Sequence, residues 1–317
     1  MKITVIGPGR WGSFIAWYLN TLNHDVTLYG RESSEKMKEF LESRKSENVV
    51  LPKRIKLSTS LESVKDAKVI VISIPSQNLR SLMKELSLMK LREKTIVLCM
   101  KGIEAGTGKR LSEVAKEYIG ENDIAVWIGP GHIEEFTRGI PNCMVIDSEK
   151  DRVSHRLIEA FSGPLIRFYY GCDLLGNEIG AAAKNVIGIA AGMLDGLDLS
   201  TLKGALMSRG THEVSELIKA MGGNPLSAYG LCHLGDYEAT VFSKYSHNRM
   251  FGEKFVRGEK YEKLAEGYYT AYSIMELCER YRVDMPICGG VYRILYNRAD
   301  PKEVFAELFT RKLKTEI

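Results

Sequence analysis

The sequence predicts an α/β fold: a doubly wound, mostly parallel sheet over residues 1–172, followed by an all-α domain over residues 173–317. Three observations carry this. Short β-branched runs alternate with helix-periodic stretches through the first half, the pattern of parallel strands joined by helical crossovers. A glycine-spaced turn separates the first strand-like run from the first helical one. After Gly171 the periodicity becomes helical throughout.

The strand-like runs are 3–6, 26–29, 69–74, 95–99 and 124–128, with 143–146 and 165–170 extending the sheet. The charged stretch 31–48 reads as solvated helix and loop rather than as a tail. In the second half, amphipathic stretches are punctuated by Gly222-Gly223-Asn224-Pro225, Arg257-Gly258 and Met285-Pro286, residues that end helices. A length of 317 residues suits two domains, each large enough to bury a core.

Composition narrows the function. Apolar residues make up 44% and charged residues 26%, the range of a folded soluble protein. The net charge of +4 is small and its charges are interspersed, so no basic stripe suits a nucleic-acid backbone, while a phosphate-sized anion remains open. Six cysteines without a Cys-x-x-Cys pair argue against a disulfide framework and a zinc site; reduced, cytoplasmic thiols and no bound metal are expected. The first residues lack the basic-then-apolar pattern of an export signal. The longest apolar tract, 179–194, is interrupted by Lys184 and Asn185 and reads as a buried helix, not a membrane span.

The turn is Gly7-Pro8-Gly9-Arg10-Trp11-Gly12, placed directly after the first strand and before the helical Phe14, Ile15, Trp17, Tyr18 and Leu19. In that context Gly7 permits the tight turn, Gly9 lets backbone amides approach a pyrophosphate and Gly12 lets the helix pack on the strand, the fingerprint of a Rossmann domain. The helix N-terminus adds N–H donors and a positive dipole end for phosphates. After the second strand stand Gly30-Arg31-Glu32, where NAD-selective sites place a carboxylate on the ribose. Arg31 suits a ribose 2′-phosphate and tilts the expectation toward NADP; Glu32 suits NAD; both also fit plain surface charges.

Lys184 sits inside a helix of small and apolar residues. At 3.6 residues per turn Asn177, Lys184, Gly188, Ala191 and Asp195 share a face, a stripe that leaves space for a ligand. A buried ammonium needs a partner, and Asp195 is about 16 Å away along the axis, too far to serve. Asp236, in Gly230-Leu231-Cys232-His233-Leu234-Gly235-Asp236, is a candidate, although capping of the next helix explains it equally well. The alternative for Lys184 is a side chain that snorkels to solvent.

Across nearly the whole chain the sequence resembles the bacterial NAD(P)-dependent glycerol-3-phosphate dehydrogenases. The resemblance runs through 7–12, Ile74-Pro75-Ser76-Gln77, Lys101-Gly102-Ile103-Glu104, Gly129-Pro130, Glu134-Glu135, Glu178, Lys184-Asn185, Ser208-Arg209-Gly210, Gly235-Asp236 and Glu266-Gly267. It implies reduction of dihydroxyacetone phosphate to sn-glycerol 3-phosphate for glycerophospholipid synthesis, with NAD or NADP, in a homodimer. It assigns Lys184 as proton donor and acceptor, Asp236 as its assisting carboxylate and Lys101 as a second active-site lysine. Ammonium groups aimed at the carbonyl oxygen stabilise the charge that develops there in the transition state, and each lowers the other's pKa. Substrate contacts fall on Lys101, Gly129, Asn185, Asp236, Thr240, Ser246, His247 and Asn248. Dinucleotide contacts fall on Gly7, Gly9, Arg10, Trp11, Gly12, Arg31, Lys101, Ile133, His247, Leu264 and Glu266.

One departure stands out. The family reads Ser-Arg-Asn where this chain reads Ser246-His247-Asn248. Either Arg249 or Arg209 replaces the missing guanidinium, or the phosphate is held more weakly, or the substrate is another small phosphorylated or acidic ketone. A dinucleotide-sensing protein without catalysis is the remaining alternative, and it has no use for a desolvated lysine.

Overall fold

The structure, a computed structural model, describes residues 1–312 and Thr315; residues 313, 314, 316 and 317 of the expected second domain lie outside them. The chain forms two compact units, one of 1–101 with 109–178, the other of 102–108 with 179–317.

The first unit is built on an eight-stranded sheet. Its strands are β1 (Lys2–Ile6), β2 (Asp25–Tyr29), β3 (Lys56–Ser58), β4 (Val69–Ile72), β5 (Thr95–Leu98), β6 (Asp123–Ile128), β7 (Asn142–Asp147) and β8 (Ile166–Tyr170), in the order β3-β2-β1-β4-β5-β6-β7-β8. Every neighbouring pair is parallel except β6 with β7. The order reverses direction at β1, and in such sheets ligands bind beyond the carboxyl ends of the strands at the switch point. Strands β4 and β5, Val-Ile-Val-Ile and Thr-Ile-Val-Leu, are buried at every residue, as central parallel strands covered on both faces must be.

Crossover helices α1 (Arg10–Thr21), α2 (Glu35–Ser43), α3 (Leu79–Ser87) and α4 (Leu111–Ile119) are followed by the short α5 (Ile133–Phe136) and by α6 (Asp151–Phe161). Helix α1 buries Phe14, Ile15, Tyr18 and Leu19, and the Tyr18 hydroxyl donates to the Phe161 carbonyl at 2.7 Å. The charged stretch after β2 is a turn and the amphipathic α2, N-capped by Ser34.

The helix α7 (Leu174–Gly196) runs from the first unit into the second. In the first unit Glu178 pairs with Arg110 at 2.8 Å and accepts from the Ser112 amide, and Asn177 donates to Asp147. The second unit continues with α8 (Lys203–Ala220), α9 (His247–Val256), α10 (Glu266–Tyr281), α11 (Pro286–Asn297) and α12 (Pro301–Phe309).

At Gly188 and at the neighbouring glycines of α7 the space a side chain would take is occupied. A Cβ built on Gly192 would lie 1.9 Å from the Arg249 carbonyl oxygen, and one on Gly188 2.6 Å from Thr240 Cγ2. A Cβ on Gly196 would meet Val256 at 2.4 Å, and one on Gly252 the Ile189 carbonyl oxygen at 2.1 Å. Gly188, Gly192 and Gly196 thus make a close helix crossing with α9, a use of small residues that periodicity alone does not separate from a cavity.

Candidate active site

In the first unit the candidate residues gather at the turn between β1 and α1. Gly7 has φ +111°, and a Cβ there would meet the Ser73 carbonyl oxygen at 2.1 Å. At Gly12 a Cβ would meet the Gly7 carbonyl oxygen at 2.0 Å, so a side chain would push α1 off the strand. Gly9 differs. Its φ of −68° and ψ of −179° suit any residue, and nothing lies within 4 Å of its would-be Cβ. Neither backbone nor packing requires glycine there, which leaves close approach of a ligand as the reason. No side chain caps α1, so its first amides are offered as an anion site. Arg10 pairs with Glu134, and Trp11 packs on Phe14 and Phe136 with ring centres 5.3 and 6.1 Å apart.

Lys101 and Gly129, expected together, are together: Lys101 Nζ donates to the Gly129 carbonyl at 2.7 Å. Gly129 has φ +134°, and Ile133 begins α5 and is buried. Arg31 follows β2 on the surface and pairs with Glu85 at 2.7 Å.

A separate group of candidate residues lies in the second unit. Lys184, 5% exposed, does not snorkel to solvent; its Nζ is 2.6 Å from Asp236 Oδ2 and donates to Thr240 Oγ1 at 2.7 Å. Asp236, 1% exposed, closes a short 3-10 turn (Leu234–Asp236) and turns inward. Removing either partner of such a pair leaves an uncompensated buried charge, at about 3–5 kcal/mol. Asn185 accepts from Asn248 Nδ2 at 3.0 Å, and Asn248 Oδ1 in turn accepts from the Gly267 amide at 2.9 Å, which fixes the orientation of that carboxamide. Ser246 N-caps α9 by accepting from the Arg249 amide. Leu264 is exposed and Glu266 opens α10.

His233 and Tyr237, given no role from sequence, are buried near the pair, close enough for both of its charges to act on the imidazole. His233 is fully buried; its Nδ1 donates to the Gly180 carbonyl at 2.9 Å and its Nε2 accepts from the Tyr237 hydroxyl at 2.7 Å. Burial lowers its pKa to about 4, with the neighbouring Lys184 charge adding to the effect, so the ring is neutral. It stands three positions before Asp236, and that spacing within a glycine-bounded run is the one signal the sequence offers.

The two arginines offered as substitutes for the family guanidinium differ in their surroundings. Arg249 is held by Asp195 at 2.6 Å and Glu253 at 2.9 Å. Arg209 lines a cavity of about 1070 Å³ with Glu213, Arg282, Ile287 and Phe305. His247 itself shares a hydrogen bond with the Tyr261 hydroxyl. Among the described residues no cluster of His, Cys, Asp and Glu suits a metal ion, and no helix is long and apolar enough to cross a membrane.

The family model described as the NAD-dependent glycerol-3-phosphate dehydrogenase N-terminus matches residues 2–154, and its C-terminal counterpart matches residues 173–306. The chain belongs to the NAD-dependent glycerol-3-phosphate dehydrogenase family. It is 36% identical to the glycerol-3-phosphate dehydrogenase (NAD(P)+) of Thermoanaerobacter sp. strain X514, covering 100% of this chain and 99% of the relative. The Clostridium botulinum strain Alaska E43 enzyme of the same name is also 36% identical, with the same coverage. A crystal structure of glycerol-3-phosphate dehydrogenase from Coxiella burnetii superposes with a TM-score of 0.90 at 28% identity, over 98% of this chain and 99% of that one. Membership in this dehydrogenase family agrees with the Rossmann sheet and helical second unit described above.

Proposed function

We propose that this protein is a cytoplasmic, homodimeric NAD(P)H-dependent reductase that converts dihydroxyacetone phosphate to sn-glycerol 3-phosphate and so supplies glycerophospholipid synthesis. The observation that carries the reading is the buried Lys184, held between Asp236 and Thr240. A buried ammonium held on a fixed line by a carboxylate and a hydroxyl is placed to give a proton to a carbonyl, and the family resemblance puts the proton donor at this position.

The residues present fit a dinucleotide: the open space beside Gly9 and the uncapped amides of α1 suit a pyrophosphate. When bound, the nicotinamide supplies the hydride. The chain does the rest. Gly7, Gly9, Arg10, Trp11 and Gly12 hold the pyrophosphate side, with Ile133, Leu264 and Glu266 as further contacts and Arg31 at the ribose. Lys184 Nζ gives its proton to the C2 oxygen of the ketone and takes it back in the reverse direction. Asp236 and Thr240 orient that ammonium, because each accepts a hydrogen bond on a fixed line. Lys101, anchored on the Gly129 carbonyl, adds positive charge for the developing alkoxide. Asn185, Ser246, His247 and Asn248 line the substrate phosphate.

A second reading, another small phosphorylated or acidic ketone, is favoured by one observation: His247 is engaged by Tyr261, and Arg249 is held by Asp195 and Glu253. A steady-state assay of dihydroxyacetone phosphate against a panel of keto acids, each with NADH and NADPH, separates the two. Lys184→Ala should lower kcat by roughly 10²–10⁴-fold, as loss of a general acid does. Dinucleotide binding, read by quenching of tryptophan fluorescence, should survive. A near-normal rate in that variant would overturn the assignment.

A further inference from the structure

Thr240 reaches Lys184 from a single turn of π-helix (Glu238–Phe242). Such turns are rare, make poor internal hydrogen bonds and concentrate at functional sites, so something outside the turn must hold its shape. Here two cations do so. Lys203 Nζ donates to the Val241 carbonyl at 3.2 Å and lies 5.3 Å from the centre of the Phe242 ring. Arg249 Nε donates to the Ser243 carbonyl at 3.2 Å. Both cations converge on one oxygen, Asp195 Oδ2, each at 2.6 Å, while Ser200 donates to Asp195 Oδ1 at 2.7 Å.

Asp195 sits on α7, the helix that also carries Lys184 and Gly188. That shared helix makes the arrangement a frame. Lys184 is fixed at one point of α7, Thr240 Cγ2 is seated against Gly188 one turn on, and the trailing end of the π-helical turn is tied to Asp195 two turns further. The carboxyl of Asp195 is driven up by burial, but Lys203 and Ser200 outweigh that and hold it below the usual carboxylate range, so it is charged at neutral pH. Without it, Lys203 loses its carboxylate and Arg249 keeps Glu253, so the tie from α7 to the Val241 and Ser243 carbonyls is lost.

We infer that Asp195 is a positioning residue for the proton-delivering pair, acting through Lys203 and Arg249 on the π-helical turn that presents Thr240 to Lys184. The inference rests on the reading of Lys184 as the proton donor. It gives a carboxylate about 16 Å along α7 from residue 184 a route to the proton-delivering pair.

The test is a double-substitution cycle of Asp195→Asn with Thr240→Val, read as kcat with saturating dinucleotide. Asp195→Asn alone should lower kcat roughly 10–100-fold, the scale of a misplacement near 1 Å, with dinucleotide Kd unchanged. In the Thr240→Val background the same change should cost less than about threefold, because the group it positions is gone. Lys203→Met should reproduce the loss, and Asp195→Glu should recover part of it. Equal losses in both backgrounds, or a wild-type kcat in Asp195→Asn, would overturn the inference. Competitive acetylation of Lys184 against pH, quantified by mass spectrometry, needs no substrate. Its profile should shift in Asp195→Asn even if dihydroxyacetone phosphate proves to be the wrong ketone, and an unmoved profile would count against Asp195 alone.

Discussion

Two glycine-rich stretches of this chain, 7–12 and 188–196, use the same residue to opposite ends. In α7 the space a side chain would take is filled by the backbone of α9 and by Thr240. At Gly9 the space is open and the backbone conformation is one that any residue adopts. In the helix the absence of a side chain serves the fold, and at the turn it serves what is to bind. From the letters alone both stretches look like room for a ligand; only the neighbours distinguish them.

The comparison can be broken most sharply at Gly192. Gly192→Leu should destabilise the protein by more than about 4 kcal/mol, since the clash is with carbonyl backbone rather than with a side chain that can rotate away. Loss of soluble, cooperatively melting protein is the expected readout. A variant that melts within a few degrees of wild type would show that the crossing is loose and that the stripe is a cavity after all.

The closed region around Lys184 also predicts a pH response. His233 has a folded pKa of about 4 against 6.5 for a free imidazole, so the folded state disfavours its charged form. Stability from keeping it neutral is therefore present above pH 6.5 and lost as pH falls toward 4. The loss amounts to about 3 kcal/mol, because each pH unit between the folded and unfolded values is worth about 1.36 kcal/mol. Denaturant melts of wild type and His233→Gln at pH 4, 5, 6 and 7 measure the difference. Parallel curves would mean that water reaches the ring.

These contrasts explain what is legible in the sequence. The alternation of β4 and β5 with helices, and the run 7–12 between a strand and a helix, report their structure locally, because burial on both faces and a tight turn each leave a mark on consecutive residues. The parallel sheet and the helical second half follow from that. Lys184 is legible as an anomaly, a charge among alanines and glycines, and Asp236 only as one candidate among carboxylates, because 52 positions separate them and pairing over that distance leaves no periodic trace. His233 and Tyr237 stay hidden for the same reason: an imidazole between two apolar residues looks like any core histidine until its two nitrogens find Gly180 and Tyr237. Along the helix Asp195 can be weighed only against Lys184, which it does not touch. Its partners Lys203 and Arg249 come from α8 and α9, and the approach of α9 depends on the glycines of α7.

At the open turn the effect should fall on binding rather than on stability. Gly9→Val adds a side chain where nothing stands within 4 Å, so the melting temperature should stay within about 2 °C, on the scale of surface substitutions. Dinucleotide Kd should rise roughly 100-fold, about 2.7 kcal/mol, as the backbone amides are kept from the pyrophosphate. Should Gly9→Val instead unfold the protein and spare binding, the turn would be one more packing device and the contrast with α7 would vanish.

The smallest effect sharpens the same contrast at the rim of the turn, where charge rather than space selects the ligand. Arg31 is more than half exposed, and its pairing with Glu85 is a surface ion pair, a kind that contributes about 0–1 kcal/mol. Moving that guanidinium onto a ribose 2′-phosphate therefore costs little, and a planar fork on a dianion regains more than the pair gave up. Arg31→Ala should raise KM for NADPH roughly five- to tenfold, about 1–1.4 kcal/mol, and leave KM for NADH within about twofold. Glu85→Gln should move the NADPH value the other way by freeing the arginine. If both coenzymes weaken equally in Arg31→Ala, the side chain is buttressing the loop after β2, and selection between the two coenzymes lies with Glu32 or elsewhere.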